Sequence, residues 1–277
     1  MQKICVLIAC NKPIKRYLWE SISSIELASF CGNVEIDIFI GFNGDAAMEI
    51  LAMIDLLKKR CKRCKVKVFT LPRAGIADTL NSLIDNADCD FIARQDFDSM
   101  ALPMRFKSLL EFMNCRSETS FIGTQDIRIN QLSQPLRIQK SYPTTMLGQM
   151  IYSSIYNNPI SPPTLFLRRS VFDVATRYQN VNGVEDWHLC NDLWLKGYKS
   201  QTLEIKTILT HIHEENMTNK ILKTKIRKKE QVATLKALKS SYPLVYGRYN
   251  HLLRLLGSIN STLSPFFLKS LHRINRR

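Results

Sequence analysis

Phe91-Ile92-Ala93-Arg94-Gln95-Asp96-Phe97-Asp98-Ser99-Met100 is the stretch on which the reading of this chain turns. An apolar run of strand length, from Cys89 to Arg94, passes straight into two carboxylates spaced two apart. At the end of a buried parallel strand, such a pair projects into the crevice where open α/β sheets take their ligands. A hard divalent cation wants oxygen ligands. It typically takes only one or two protein carboxylates, leaving places for substrate phosphates. Asp-x-Asp in a loop is also an ordinary solvated turn, so its weight depends on its surroundings.

Working upstream, Lys3–Cys10 is a continuous apolar run of strand length. Val34–Phe42 opens with period-two alternation and ends in the turn Asn43-Gly44, and Val66–Leu71 reads as another strand. Between them, Arg16–Phe30 repeats Leu18, Ile22, Ile25 and Leu27 at helical spacing; Ala46–Cys61 and Ile76–Asn86 also read as helices. This alternation predicts an α/β fold, a mainly parallel sheet covered on both faces by helices. Downstream of Asp98 the pattern loosens. Pro103–Cys115 reads as a helix and Ser120–Ile129 as a strand. A loop-rich stretch, about 130–163, holds Pro135, Pro143, Pro159, Pro162 and Pro163. Thr164–Arg168 reads as a short strand, Asp186–Lys196 as a helix stopped at Gly197, and Thr202–His213 as the last strand of the body. Lys220–Lys239 reads as a basic helix, and Leu244–Arg277 alternates apolar clusters with arginine.

Composition sets the bounds. The 277 residues are 45% hydrophobic and 23% charged, which suits an ordinary globular chain rather than a disordered one. No apolar run approaches the roughly 20 residues that span a bilayer. The first ten residues have the look of a short signal peptide, but Asn11-Lys12-Pro13 interrupts them and no small-residue cleavage site follows cleanly. We read them as a first strand and expect a cytoplasmic protein. The eight cysteines fit that compartment, several lying in apolar runs where a thiol packs as a small hydrophobe. Cys61-Lys62-Arg63-Cys64 has zinc-like spacing but lacks a second pair or a nearby histidine, so no zinc site is expected.

Of the net charge of +15, residues 215–277 carry 14 − 2 = +12, and the first 214 only +3. A nearly neutral body with a basic tail points to an anionic surface, either lipid headgroups or nucleic acid. The tail lacks the aromatic interleaving of single-strand binders, and nucleic-acid binding leaves the acidic motifs unexplained. No nucleic-acid partner is expected. A nucleotidyltransferase also holds metal on strand-end acids, but it would carry a Gly-rich basic loop after Cys10, where there is none.

Arg94-Gln-Asp96-Phe-Asp98 followed by Leu102-Pro103-Met-Arg105 resembles the Arg-x-Asp-x-Asp…Pro-x-Arg run of family 2 glycosyltransferases. The opening Val6-Leu-Ile-Ala9-Cys-Asn11-Lys with Tyr17-Leu18 and Ser21-Ile22-Ser23-Ser24-Ile25 is similar to that family's first strand and helix. Leu71-Pro-Arg73-Ala-Gly75-Ile-Ala-Asp78-Thr-Leu80-Asn81, Asn158-Pro-Ile…Pro163-Thr164-Leu-Phe-Leu-Arg168, Gly183-Val-Glu185-Asp186-Trp-His-Leu189 and His211-Ile-His213-Glu-Glu-Asn216-Met-Thr218 resemble further segments, in the family's order. The resemblance implies a GT-A fold, a Rossmann-like and mainly parallel sheet flanked by helices, over 1–218, with a basic helical extension over 219–277. It also implies an inverting, metal-dependent glycosyltransferase of the bacterial surface-polysaccharide kind, making O-antigen or capsule. Such an enzyme would use a nucleotide diphospho-sugar, a UDP-sugar, with Mn²⁺ or Mg²⁺, and would act on a glycan or lipid-linked glycan acceptor at the inner membrane face. The donor pocket would be drawn from Ala9, Asn11, Asn43, Asp45, Arg73, Asn81, Arg94 and Asp96. The arginine forks suit diphosphate oxygens.

The metal site would be Asp98 with Asp96 nearby. His213, which alternates with His211 along a strand, is a further metal or diphosphate contact, and only one of the two histidines can face the crevice. Two positions depart from the family pattern. Asn43, with Asp45 after it, stands where the family has an acid in the turn after strand two, and Ser99 stands where it often has a third aspartate. The second acidic pair, Glu185-Asp186, reads from spacing alone as acids satisfying a helix N-terminus. The resemblance instead makes one of them the general base, and of the two, Asp186. Trp187 and His188 read as packing or acceptor wall.

Overall fold

The structure is a computed structural model. It describes residues 2–31, 34–72, 75–136, 141–173, 176–181, 183–213 and 224–248. An eight-stranded sheet has the order β3-β2-β1-β4-β7-β6-β8-β5. Its strands are β1 (Lys3–Cys10), β2 (Glu35–Asn43), β3 (Cys64–Leu71), β4 (Phe91–Arg94), β5 (Ser99–Ala101), β6 (Thr119–Ile129), β7 (Phe166–Arg168) and β8 (Lys199–His211). β3, β2, β1 and β4 run parallel, as do β6 and β8. β7 runs against both β4 and β6, and β5 against β8. The carboxyl ends of six strands therefore share one edge.

The helices are α1 (Lys15–Ser29), α2 (Met48–Arg60), α3 (Ile76–Asp85), α4 (Arg105–Cys115), α5 (Met146–Ile155), α6 (Glu185–Leu195) and α7 (Thr224–Ser241). They cover both faces. Ile4, Val6, Ile8 and Cys10 of β1 pack with residues of α1, α2 and α4, while Cys5, Leu7 and Ala9 pack on the other face with residues of α3, α5, α6 and α7. Burial on both faces explains why β1 reads as an unbroken apolar run rather than an alternating one. At the end of β2, Gly41 lets α3 lie close: a Cβ there would come within 2.6 Å of Thr79 Cγ2.

Three expectations need correcting. The proline-framed stretch read as loop contains α5, nucleated by Thr145, whose side chain accepts a hydrogen bond from Gly148 N at 3.1 Å. The pattern after Asp98 also hides β5, which pairs antiparallel with β8. The β8 strand runs three residues earlier than expected at its start and ends at His211, so His213 lies just past it.

Beyond the body, α7 packs against α5 and α6, with Ala237 and Leu238 fully buried. A polar seam fixes it there. Thr234 meets Ser153 (2.8 Å) and Asn191 (2.6 Å), and Glu230 meets Asn191 (2.9 Å) and His188 (3.0 Å). Among the described residues no helix is long and apolar enough to cross a membrane. Arg73, Asn216, Thr218, Lys220, Lys223 and residues 249–277, which sequence reading singled out, lie outside the described residues.

Candidate functional site

The turn after β1 and the turn after β2 open side by side at the carboxyl edge. Cys10, Asn11, Lys12, Phe42, Asn43, Asp45 and Gly75 line a pocket of about 400 Å³ there, the scale of a small-ligand site. Three residues expected to hold a donor, Asn11, Asn43 and Asp45, thus come together, with Ala9 two residues back along β1, opposite Gly41. Asn43 also braces the wall: its Oδ1 accepts Gly75 N at 3.2 Å. Two backbone features shape the rim. Gly75 holds φ +120°, a region closed to side chains, and Lys12 holds φ +53°, uncommon for a non-glycine residue. An observed outlier of that kind, on the lip of a pocket, is what ligand clamps retain. Lys12 carries no such signal in the sequence.

Next to this pocket, on the other side of β1, β4 delivers the Asp-x-Asp turn. Gln95 N donates to Leu7 O at 3.1 Å, which sets the start of the turn level with β1. Its shape comes from buried neighbours. The Gln95 amide, fully buried, donates to Ser21 Oγ (2.8 Å) and to Ser99 O (3.1 Å). The Arg105 guanidinium, also fully buried, bonds Gln95 Oε1, the Arg94 carbonyl (2.6 Å) and the Pro163 carbonyl (2.9 Å). Burial presses the Arg105 pKa down to about 9 against the pull of Asp96. The Pro-x-Arg motif is therefore a brace beneath the acids rather than a ligand-contacting group.

Arg94 proves to be the hub. Its side chain is only 5% exposed, and it pairs with Asp96 Oδ1 at 3.0 Å and with Asp186 Oδ1 at 3.4 Å. Burial alone would favour the neutral guanidine, but the charges of Asp186 and Asp96 hold it firmly protonated. Sequence reading assigned this fork to a diphosphate; the structure engages it with one acid from each acidic pair. Burial raises the Asp96 pKa to about 6; Arg94 opposes the rise, and the charges of Asp98 and Asp186 add to it. Cys10, which lines the pocket, has its thiol pKa pushed upward by burial; Arg94 opposes the rise, and Asp96 and Asp98 add to it.

Asp98 Oδ2 lies 2.9 Å from His213 Nε2, so the structure brings these two expected site residues together. His211 Nε2 instead meets Glu20 Oε2 at 3.1 Å, and both imidazoles stack on Tyr17, at 4.3 and 5.5 Å between centroids. Among the described residues no group of three or more His, Cys, Asp or Glu side chains is arranged to hold a metal ion. A carboxylate and an imidazole meeting at one point still fit a divalent cation that draws the rest of its shell from phosphate oxygens. Cys61 and Cys64 are free thiols.

The acceptor-side residues come from α6. Asp186 Oδ1 accepts from the Tyr178 hydroxyl at 3.2 Å as well as from Arg94. Glu185 turns away, its Oε1 accepting Gly183 N at 2.9 Å. Asn81, expected to touch the donor, holds the Tyr178 backbone at both its amide and its carbonyl, each at 2.9 Å. Trp187 is buried, its indole donating to Ser153 Oγ at 2.7 Å, and His188 faces α7.

Comparison with known proteins identifies the family and the fold. Residues 4–176 match the sequence model of Glycosyl transferase family 2. The O-antigen biosynthesis glycosyltransferase WbnJ of Escherichia coli is 26% identical over 196 residues, 71% of this chain and 72% of that protein. Residues 1–349 of S. aureus TarS in complex with UDP-GlcNAc superpose with a TM-score of 0.63 at 13% identity, covering 86% of this chain and 67% of that one. The same fragment with UDP gives 0.60 at 15% identity, covering 87% and 73%. At those identities the likeness to TarS speaks for the fold. The family match ends at residue 176, so Asp186 and His213 lie beyond it. With more than half its length matched, and with the fold of its structural neighbours, the chain belongs to glycosyl transferase family 2 and is a GT-A glycosyltransferase.

Proposed function

We propose that the chain transfers a sugar from a UDP-sugar to an acceptor hydroxyl, with inversion at the anomeric carbon, in the assembly of a bacterial surface polysaccharide. The observation that carries this reading is the Arg94 bridge, which gathers Asp96 and Asp186 beside a pocket lined by Asn11, Asn43 and Asp45. Support also comes from what the relatives' names and structures say of them: O-antigen biosynthesis for WbnJ, and UDP or UDP-GlcNAc bound to TarS.

In this reading the nucleotide occupies the pocket and the diphosphate points across β1 toward Asp96 and Asp98. Asp98 and His213 are the residues that would hold Mn²⁺ or Mg²⁺, with Asp96 nearby. Such an ion, when bound, neutralises charge on a leaving diphosphate. Asp186 accepts the proton of the acceptor hydroxyl. The acceptor oxygen bonds to the anomeric carbon on the face away from the diphosphate. As that bond forms, the bond from carbon to the diphosphate oxygen breaks, and the nucleoside diphosphate keeps the electron pair. Glu185, bound to Gly183 N, serves the turn before α6. The domain over 1–218 carries this chemistry. The basic extension over 219–277 meets the anionic membrane that presents a lipid-linked acceptor.

The test is a panel of UDP-, GDP- and dTDP-sugars against alkyl glycosides of common monosaccharides, with Mn²⁺ or Mg²⁺ present. A UDP-sugar should give a glycoside of opposite anomeric configuration. Product with retained configuration, or from a GDP-sugar alone, would overturn the corresponding part of the proposal.

A further inference from the structure

Residues 176–181 form a strap laid along one face of α3. Arg177 meets Asp85 (3.0 Å), the Tyr178 backbone meets Asn81 twice (2.9 Å each), and Asn180 meets Asp78 (2.5 Å). Residues 78, 81 and 85 fall at helical spacing, so three successive contacts stitch the strap to a single stripe of the helix. The residue just before that helix, Gly75, is part of the pocket wall. The close fit continues there, since a Cβ on Gly75 would come within 2.7 Å of Asn180 Oδ1.

The strap buries Thr176 and Tyr178, and Tyr178, 3% exposed, stacks its ring near Phe172 and donates its hydroxyl to Asp186 Oδ1. Burial, and then the Asp186 charge, hold the phenol pKa well above its ordinary value, so it remains a donor. Tyr178 and Arg94 both reach Oδ1, and neither reaches Oδ2. A carboxylate held by two donors on one oxygen has its other oxygen held in a fixed direction.

We infer that Tyr178 is a positioning residue for Asp186: it fixes the carboxylate so that Oδ2 receives the acceptor's proton, and Asn81 on the donor-side helix fixes Tyr178. The inference rests on the reading of Asp186 as the base. A base misaligned by about an ångström loses much of its effect even when it is present. The strap thus holds the base in register with the wall of the donor pocket.

The experiment measures kcat and KM for Tyr178→Phe, Asp186→Asn and the double variant, using the UDP-sugar and alkyl glycoside that give product in the panel. Tyr178→Phe keeps the ring and its packing. Its kcat should fall about tenfold or more, the scale of one hydrogen bond to a charged group, with donor KM and thermal midpoint near wild type. In the Asp186→Asn background the same change should cost nothing further, because the group it positions is gone. Wild-type kcat in Tyr178→Phe beside an inactive Asp186→Asn overturns the inference and leaves the base reading standing. Losses that multiply in the double variant overturn it too, since Tyr178 then acts elsewhere. Full turnover in Asp186→Asn overturns the base reading itself.

Discussion

Asp98 Oδ2 and His213 Nε2 lie 2.9 Å apart although 115 positions separate them in the chain. If this pair holds a divalent cation for the donor, UDP should bind more tightly with Mn²⁺ than without it. Calorimetry of the wild type should then give a metal-dependent affinity, and Asp98→Ala should remove at least about 2 kcal/mol of it, the lower scale for losing a charged hydrogen-bonding partner. Equal UDP affinity with and without Mn²⁺ in both proteins would sink the assignment.

The two members of the second acidic pair have different surroundings, and their variants should separate accordingly. Asp186→Asn keeps shape but cannot take a proton, so turnover should drop by about 10²-fold or more while UDP affinity and thermal midpoint hold. Glu185→Gln can still accept from Gly183 N, so it should stay close to wild type in turnover. The reverse pattern in steady-state kinetics would exchange their roles.

His188 and Glu230, 3.0 Å apart between α6 and α7, should make stability depend on pH. The hydrogen bond to Glu230 raises the His188 pKa in spite of burial. That contribution is complete below the unfolded value of about 6.5 and fades as pH rises through the raised one. Burial would raise the Glu230 pKa, but bonds from His188 and Asn191 lower it. Its contribution is complete above about pH 4.5 and fades as pH falls through the lowered value. The pair therefore stabilises most between roughly pH 4.5 and 6.5. Replacing His188 by Gln should cost about 1 kcal/mol near pH 6 and progressively less toward pH 9. A denaturation series with a cost that does not change over that range refutes the linkage.

After Arg248 the chain holds Arg254, Lys269, Arg273, Arg276 and Arg277, no acids, and apolar residues such as Leu252, Leu253, Leu255, Leu256, Phe266 and Phe267. At about 1 kcal/mol per basic residue near an anionic surface, the full chain should co-sediment with phosphatidylglycerol vesicles at low salt. A chain ending at Arg248 should lose most of that binding. Equal sedimentation with phosphatidylcholine vesicles would rule the membrane contact out.

The first half of the fold was legible because its strands are buried on both faces and so read as unbroken apolar runs. β1 matches its sequence bounds at both ends, and α3 differs from its own by one residue. α5 escaped because Pro143 and Pro159 frame it, although Thr145 followed by Met146, Leu147, Met150 and Ile151 carried a cap and a helical repeat. The pocket residues Asn11, Asn43 and Asp45 follow strand ends, which local pattern locates. Arg94 was read as a phosphate fork because its second partner, Asp186, stands 92 positions later, and spacing cannot express such a contact. Tyr178 and Gln95 had no local signal at all. Their importance comes from which atoms they reach: one carboxylate oxygen for Tyr178, and Ser21 and the Ser99 carbonyl for Gln95.

The seating of α7 has a mechanical consequence for the helix beside it. Glu230 and Thr234 grip Asn191 and His188, which sit on the same short helix as Asp186. α7 thus couples the end of the described chain to the helix that carries Asp186. Cutting the gene before α7 would expose the packed flank of α5 and α6, with Ser153 losing Thr234 and Asn191 losing Glu230 and Thr234. α7 and the helix that carries Asp186 are thus mechanically one piece.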